Sequence, residues 1–186
     1  MTNIDFSQMV HQLAKDGDVI AKEISGIDAH LIHMSVGVMG EVGELIAAVN
    51  NNDRANQVEE LGDLEFYLEG LRQGMEIDRE KTIGLQVDNL LDASSPFSVS
   101  DRLVISTADL LDTIKKSVIY RKPLKKDVVI ECLSWVERYI GVMYLVLGIC
   151  RNEAITANIE KLGVRYKGFT YGDEQAQTRA DKKDGE

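Results

Sequence analysis

Apolar residues recur at intervals of three and four along most of the chain, a spacing that places them on one face of an α-helix. A short amphipathic helix is predicted from Phe6 to about Gly17, and Asp28 is a candidate N-cap for a long helix that ends at the turn-forming residues 50–53. The predicted buried face of this long helix comprises Ile32, Val36, Met39, Val42, Leu45, Ile46 and Val49.

The same periodicity continues after the turn and predicts a second helix from about Ala55 to Gly74. A further helix is predicted to begin at Asp78 and to be broken at Pro96, with Ile83, Val87, Leu90 and Leu91 on its apolar face. Strand signals are nearly absent, because the alternating β-branched runs and hairpin turns that mark strands are missing. The pattern therefore predicts an all-α fold, a helical bundle.

The second half of the sequence resembles the first. Adding 72 to residue numbers 58–90 aligns apolar, acidic and aromatic positions without a gap. The aligned pairs include Val58 with Ile130, Leu61 with Leu133, Glu65 with Glu137, Tyr67 with Tyr139 and Arg79 with Arg151. Upstream, an offset of 65 aligns Glu44 with Asp109, so the second connecting loop is longer by the difference between the offsets. We interpret the pattern as a degenerate tandem repeat whose halves pack about a pseudo-twofold axis.

Length and composition favour a single domain. A chain of 186 residues, 44% of them hydrophobic, can bury one core, and no linker separates its halves. We assign one domain to residues 1–172, with an active half at about 28–92 and a degenerate repeat at about 101–166. Residues 173–186 carry alternating charges without apolar periodicity, which predicts a solvated, partly disordered tail.

Net charge and cysteine usage restrict the partners and the compartment. A net charge of -10 argues against nucleic acid or an anionic membrane as a partner. Cys132 and Cys150 lie in apolar helical runs without CxxC spacing, which predicts buried thiols in a reducing compartment. The N-terminus lacks the pattern of a signal peptide, and no apolar run is expected to span a membrane. We predict a cytoplasmic protein.

Four acidic residues form the main candidate site. Glu41 and Glu44 share one face of the first long helix, and Glu60 and Asp63 share a face of the next, because side chains three positions apart are neighbours on a helix. Two such pairs that face each other would repel unless a hard divalent cation lay between them. The sequence therefore predicts a site for Mg²⁺, with Mn²⁺ as a substitute.

The two halves differ in this chemistry. With the same offsets, Ser106, Cys132 and Trp135 replace three of the four acids, so that Asp109 is the one acid retained. Conversely, Asn158 and Lys161 of the second half align with Gln86 and Asn89 of the first. The two halves are therefore complementary, because the first supplies the acids and the second supplies the cation Lys161.

These motifs resemble the all-α nucleoside triphosphate pyrophosphohydrolases called MazG-like, which include dimeric dUTPases and dCTP pyrophosphatases. The resemblance rests on ExxE at Glu41 and Glu44, ExxD at Glu60 and Asp63, and the segment NIEKLGVRYKGFTY near the C-terminus. Two departures are Gly40, where some members carry another glutamate, and Asn50 with Asn51, where many carry lysines. The phosphate-binding cations are therefore expected at the C-terminal segment.

The resemblance implies hydrolysis of a nucleoside triphosphate to a monophosphate and pyrophosphate by attack of water at the α-phosphorus. It assigns metal binding and catalysis to Glu41, Glu44, Glu60 and Asp63. It also implies that Lys161 takes part in catalysis, and it places four residues at the phosphates or the pocket wall: Asn158, Lys161, Arg165 and Tyr166. A nucleotide-pool role and a homodimer are expected, although neither the base preference nor the assembly follows from these motifs.

Several interpretations stay open at this point. His33 lies two helical turns before Glu41 and is a candidate to line the nucleotide pocket, with a structural role as the alternative. Trp135 either fills the position of the lost acid or stacks on a base. A ferritin-like di-iron site is disfavoured because it requires Glu-x-x-His pairs. A regulatory nucleotide-binding protein without turnover and a structural helical module are the remaining alternatives.

Overall fold

The computed structural model of the protein describes residues 5–83 and 96–181, in which helices are the only regular secondary structure. The predicted all-α fold is confirmed. The α-helices are α1 Phe6–Leu13, α2 Gly17–Glu23, α3 Gly26–Asn50, α4 Arg54–Met75, α5 Glu80–Ile83, α6 Pro96–Tyr120, α7 Lys126–Leu147, α8 Arg151–Arg165 and α9 Asp173–Thr178. A 3-10 turn, Lys167–Phe169, lies between α8 and α9.

A capping box begins α3 one turn earlier than predicted. The hydroxyl of Ser25 accepts a hydrogen bond from the backbone N–H of Asp28 at 3.2 Å, and the Asp28 carboxylate accepts one from the backbone N–H of Ser25 at 3.0 Å. Asp28 is therefore the third residue of the helix and not its N-cap, because the reciprocal pair satisfies two backbone donors at once. Of the predicted buried face, Val36 is wrong, since its side chain is 53% exposed.

A tight turn joins α3 to α4 and makes them an antiparallel hairpin. Asn52 adopts a positive φ of 53°, and the Asp53 carboxylate caps α4 by accepting from the backbone N–H of Asn56 at 3.2 Å. The turn predicted at residues 50–53 is confirmed. The hairpin matters for function because it holds the two predicted acid pairs on neighbouring helices.

The helix predicted to begin at Asp78 is described only as far as Ile83, and Val87, Leu90 and Leu91 lie outside the described residues. Pro96 is the first residue of α6. Proline is tolerated at the first position of a helix, where its missing N–H would have no helical partner. The predicted break of the preceding helix falls on residues outside the described ones and stays a prediction.

The helices pack around one apolar core. α3 lies against both α4 and α6, and α6 lies against α7. Fully buried leucines from these helices occupy the core, and burial of each contributes about 1.5–3 kcal/mol before entropic costs. They include Leu45, Leu61, Leu64, Leu68, Leu71, Leu103, Leu110 and Leu133.

Each half of the chain contributes one helix that packs on a helix of the other half. α8, from the second half, packs on α4 of the first, and α5, from the first half, packs on α7 of the second. α4 and α7 each have 22 residues and are related by the offset of 72. These contacts agree with the predicted pseudo-symmetry, although the tandem repeat itself stays a prediction.

Two buried glutamates at equivalent positions join the halves. Glu65 accepts hydrogen bonds at 2.6 Å from both Nε and Nη2 of Arg151, and Glu137 pairs with Arg72 and accepts from the Thr82 hydroxyl at 2.9 Å. Burial raises the pKa of Glu137, and Arg72 opposes this shift. Loss of either arginine would leave a buried carboxylate without its charged partner, which is strongly destabilising.

Three details of the described residues differ from the sequence-based expectations. The thiol of Cys132 is half-buried and Cys150 is exposed, so the prediction of two buried thiols was wrong for Cys150. The charged C-terminal segment forms α9 in its first part instead of an irregular tail. Finally, α3 is long and apolar enough to cross a membrane. This is weak evidence for a membrane span, because the core helix of a soluble protein meets the same criteria.

Candidate active site

Three of the predicted acids converge between α3 and α4. Each of Glu41, Glu60 and Asp63 places a carboxylate oxygen within 4.8 Å of the other two, which is the spacing of a shared cation site. Glu60 is the most buried of the three, with 7% of its surface exposed. Glu44 lines the same cleft but is exposed, and its carboxylate lies outside this group of three. We call Glu41, Glu60 and Asp63 the carboxylate group.

The carboxylate group resists full ionisation. Burial raises the pKa of Glu60 to about 8, and a hydrogen bond with Glu41 and the charges of the neighbouring acids contribute to the increase. Burial and the charges of Asp63 and Glu44 also raise the pKa of Glu41, although the hydrogen bond from Glu60 opposes this. The two glutamates therefore share a proton in the absence of a cation, because ionising both of two adjacent carboxylates costs free energy through charge repulsion.

Two side chains of α8 hold Asp63 from the other half of the chain. Asn158 Nδ2 donates a hydrogen bond to Asp63 Oδ1, and Lys161 Nζ donates one to Asp63 Oδ2. Lys161 also donates to Glu59 at 3.2 Å. The predicted phosphate-binding pair thus lies beside the carboxylate group, and Lys161 offsets part of its negative charge.

A glycine in α4 permits this contact between α4 and α8. A Cβ atom at Gly62 would lie 2.5 Å from the backbone oxygen of Ala154 and 2.9 Å from the Cβ of Asn158. Gly37 similarly accommodates the ring of Tyr67, whose Cδ1 would lie 2.3 Å from an added Cβ. Gly40, by contrast, has open space beside it.

The acids open into a cleft of about 960 Å³ that the C-terminal segment helps to enclose. Its lining includes the acids, the end of α8 and residues that follow α8. Aromatic side chains line the cleft: Phe66, Tyr67, Tyr166, Phe169 and Tyr171. Such a mixture of aromatic surface and a few convergent charges is typical of small-molecule sites.

The C-terminal segment is fastened by one bidentate ion pair. Arg165 Nε and Nη2 donate to the two carboxylate oxygens of Asp181, both at 2.6 Å, and the Asp181 side chain is only 2% exposed. The hydrogen bond from Arg165 lowers the pKa of Asp181 to about 2. Residues 166–181 are thereby held across the mouth of the cleft, with Phe169, Tyr171 and Arg179 in its wall.

Three further predicted residues line this cleft, whereas Asn158 and Lys161 line a neighbouring cavity of about 440 Å³. His33 lines it and makes an edge contact with the ring of Tyr67, with 6.1 Å between ring centroids. Tyr166 lines it and lies beside Tyr171, with ring centroids 5.7 Å apart. Arg165 lines it as well, but its guanidinium is engaged by Asp181 instead of being free for phosphate.

Sequence reasoning missed three residues of the site. In the sequence analysis, Tyr67 served only to align the two halves. Its position on the same helix as Glu60 and Asp63, one turn after Asp63, could have indicated that it belongs to the site. Burial and the charges of Glu41 and Asp63 raise the pKa of its hydroxyl. Arg179 and Asp181 lie in the segment predicted to be a solvated tail, and their pattern gave no signal.

The second half places its equivalent positions at a separate cavity. Ser106, Asp109, Cys132 and Trp135 line a space of about 380 Å³ between α6 and α7. Trp135 therefore does not reach the cleft of the carboxylate group, and the hypothesis that it stacks on a base there was wrong. Gln86 and Asn89 lie outside the described residues.

A comparison with known protein families finds a match over the hairpin of α3 and α4, which carries the acids. Residues 25–84, about a third of the chain, match the family model of phosphoribosyl-ATP pyrophosphohydrolase. The match spans α3 and α4 and includes all four predicted acids. No curated protein and no solved structure matches the chain. Enzymes of the matched family are hydrolases that act on phosphoric anhydrides, so the predicted enzyme class, a nucleotide pyrophosphohydrolase, is confirmed, whereas the specific substrate is not fixed by the match.

Proposed function

We propose that the protein is a metal-dependent nucleoside triphosphate pyrophosphohydrolase that acts in the nucleotide pool. The observation that carries the proposal is the junction of α4 and α8, where Asn158 and Lys161 are bonded to Asp63 and the carboxylate group opens into an aromatic cleft. Carboxylates suit a cation, the α8 residues suit phosphate oxygens, and the aromatic wall suits a base. A cytoplasmic location and a homodimer stay predictions.

The donor set fits a hard divalent cation. Three carboxylates converge, and their oxygen atoms are the ligands that Mg²⁺ and Mn²⁺ prefer. The raised pKa values of Glu41 and Glu60 indicate excess negative charge that a cation would relieve. Glu41, Glu60 and Asp63 would hold the ion, with Glu44 as the fourth predicted ligand from the cleft wall. A bound divalent cation would offset the negative charge of the phosphate oxygens around the reacting phosphorus.

Positive charge for the leaving pyrophosphate comes from α8 and the C-terminal segment. Lys161 is positioned to move from Asp63 to a phosphate oxygen when a cation takes over the carboxylate. Arg165 and Arg179 line the cleft into which the acids open. Arg179 also lies near Asp181, but no hydrogen bond joins these two side chains among the described residues. A triphosphate that enters the cleft would meet Arg179 in its lining and Lys161 beside Asp63, whereas Arg165 is paired with Asp181.

In the proposed reaction, the oxygen of water attacks the α-phosphorus and the bond from that phosphorus to the bridging oxygen breaks. The electron pair of this bond leaves with pyrophosphate, whose charge Lys161 and Arg179 stabilise. A carboxylate of the site that does not hold the cation accepts the proton of the attacking water. The base lies against aromatic side chains such as Phe169 and Tyr171, which are 68% and 70% exposed before any ligand binds.

Each chain is proposed to contain one complete site. The acids come from α3 and α4 of the first half, and Asn158 and Lys161 come from α8 of the second. At the equivalent place in the second half, Asp109 remains, and within residues 5–83 and 96–181 the carboxylate group is the one cluster of three metal-ligating side chains. A degenerate repeat that mimics a dimer explains this division of labour.

A pyrophosphate-release assay tests the proposal. Ribonucleoside and deoxyribonucleoside triphosphates and phosphoribosyl-ATP are each offered with Mg²⁺, and the products are identified as monophosphate and pyrophosphate. Glu60→Gln should reduce turnover by orders of magnitude, whereas Asp109→Asn, the acid of the other half, should not. Equal activity of Glu60→Gln and the unmodified protein would refute the proposal. Nucleotide binding without pyrophosphate release would favour the regulatory alternative.

A further inference from the structure

A second cavity of about 380 Å³ lies between α6 and α7, away from the carboxylate group. Its volume falls within the range of small-molecule sites, about 300–1,000 Å³. The alignment of the halves maps its positions onto those of the acidic site, but the chemistry differs, because hydroxyl, thiol and indole groups replace three acids. Among the described residues, no cluster of three metal-ligating side chains lies at this cavity.

The apolar part of this cavity is an aromatic platform. The rings of Trp135 and Tyr139 are stacked, with 6.0 Å between centroids and 20° between planes. The guanidinium of Arg138 lies 5.2 Å from the Trp135 ring centroid, within the distance of a cation–π contact. Trp135 is nevertheless 38% exposed and Ile105 is 61% exposed. A fixed, partly exposed indole in a concave site is suited to stacking against a planar ring.

Charged groups at the rim restrict the ligand further. Asp109 and Glu131 contribute two carboxylates and Arg102 contributes one guanidinium. The formal charge is negative, so a triphosphate would be repelled, whereas a neutral ligand with hydroxyl or amino donors would find acceptors. The enclosed volume of about 380 Å³ is that of a small-molecule site, which favours a small ligand over a second protein.

We propose that the α6–α7 cavity binds a nucleoside, with its base stacked on Trp135 and its sugar hydroxyls donating hydrogen bonds to Asp109 and Glu131. The site is distinct from the cleft of the carboxylate group and needs no cation. It recognises the unphosphorylated form of the compound class that the cleft is proposed to bind as triphosphate. The proposal stands on the cavity and its side chains and does not depend on turnover in the cleft.

Trp135 is the only tryptophan in the sequence, so its fluorescence reports on this cavity directly. The full-length protein is titrated with thymidine and with adenosine, and calorimetry provides an independent measure of binding. We expect saturable quenching by at least one nucleoside and at least tenfold weaker quenching by its triphosphate. Asp109→Asn and Ile105→Glu, both at exposed positions, should each weaken the affinity for the nucleoside by fivefold or more.

Two variants serve as controls. Leu145→Glu introduces the same charge on α7 at a position that is 76% exposed and outside the cavity, and it should leave the titration unchanged. Glu60→Gln alters the carboxylate group and should also leave it unchanged. Absence of saturable quenching by both nucleosides would overturn the proposal, and so would quenching that Glu60→Gln abolishes. If Ile105→Glu instead halves the mass in sedimentation and no nucleoside quenches Trp135, the occupant is a second copy of the chain and the proposal is wrong.

Discussion

Lys161 donates a hydrogen bond to Asp63, so the cation predicted to bind phosphate is paired in this structure with a carboxylate predicted to bind metal. The contact crosses from α8 to α4 and therefore joins the two halves of the chain. It also means that metal binding and the position of Lys161 are coupled, because both compete for the same oxygen atoms.

Replacement of Lys161 should separate metal affinity from turnover. Lys161→Met removes a charged hydrogen-bond donor, an interaction of about 1.5–3 kcal/mol, so Mn²⁺ affinity should rise about tenfold. Turnover should fall by about 10²–10³, since a cation at the leaving group is lost. Calorimetric titration with Mn²⁺ and steady-state pyrophosphate release measure the two effects. Lys116→Met, on the exposed face of α6, is the control, and unchanged Mn²⁺ affinity in Lys161→Met would contradict the coupling.

The stability of the metal-free protein should decrease as pH rises. The folded state holds a proton on Glu60 up to about pH 8, whereas the unfolded chain releases it near the ordinary value of 4.5. Between these values the folded state binds more protons, so the free energy of unfolding falls by up to about 1.4 kcal/mol per pH unit. Urea denaturation at pH 5, 6, 7 and 8 in chelator measures the slope.

Glu60→Gln should flatten this slope, because the amide does not titrate and keeps a hydrogen-bond donor for Glu41. Glu131→Gln, an acid one position from the equivalent residue on α7, should leave the slope unchanged. Saturating Mg²⁺ should remove the decrease in the unmodified protein, since the cation stabilises the ionised acids. A slope that Glu60→Gln does not change would show that other groups cause it.

Gly62→Ala should destabilise the junction of α4 and α8. The new methyl group would meet the backbone of Ala154, which cannot rotate away, so we expect a loss of about 1–3 kcal/mol in the free energy of unfolding. Turnover should fall as well, because Asn158 and Lys161 would be displaced from Asp63. Gly141→Ala is the matched control on α7, where no atom lies within 4 Å of an added Cβ. It should instead stabilise the protein by about 0.5–1 kcal/mol.

Asp181→Asn should loosen the C-terminal segment without unfolding the bundle. The bidentate pair with Arg165 becomes a weaker neutral contact, so residues 166–181 should become more sensitive to limited proteolysis and to hydrogen exchange. KM should rise more than kcat falls, since aromatic side chains of the cleft wall lie in this segment. Asp127→Asn, an exposed acid at the start of α7, is the control, and an unchanged protease pattern would refute the fastening role of Asp181.

The hairpin of α3 and α4 was predictable from sequence because its determinants are local. Helical spacing of apolar residues fixed the two elements, and the turn residues 50–53 fixed their antiparallel order. Once Glu41 and Glu60 lie on adjacent faces of such a hairpin, their proximity follows. The prediction that Val36 is buried was wrong, because periodicity alone does not show how much of a helix face a neighbouring helix covers.

The arrangement of α8 and of the C-terminal segment was decided by tertiary structure. The sequence indicated that Asn158 and Lys161 belong near phosphate, but the contact of Lys161 with Asp63 depends on the packing of helices far apart in the chain. Asp181 had no local signal, because a single acid in a charged segment is ordinarily solvated, and only the approach of Arg165 buries it. Local patterns determine which helices form and which faces they bury, whereas contacts between distant segments determine which charges meet, since pairing energies depend on distance and exclusion of water.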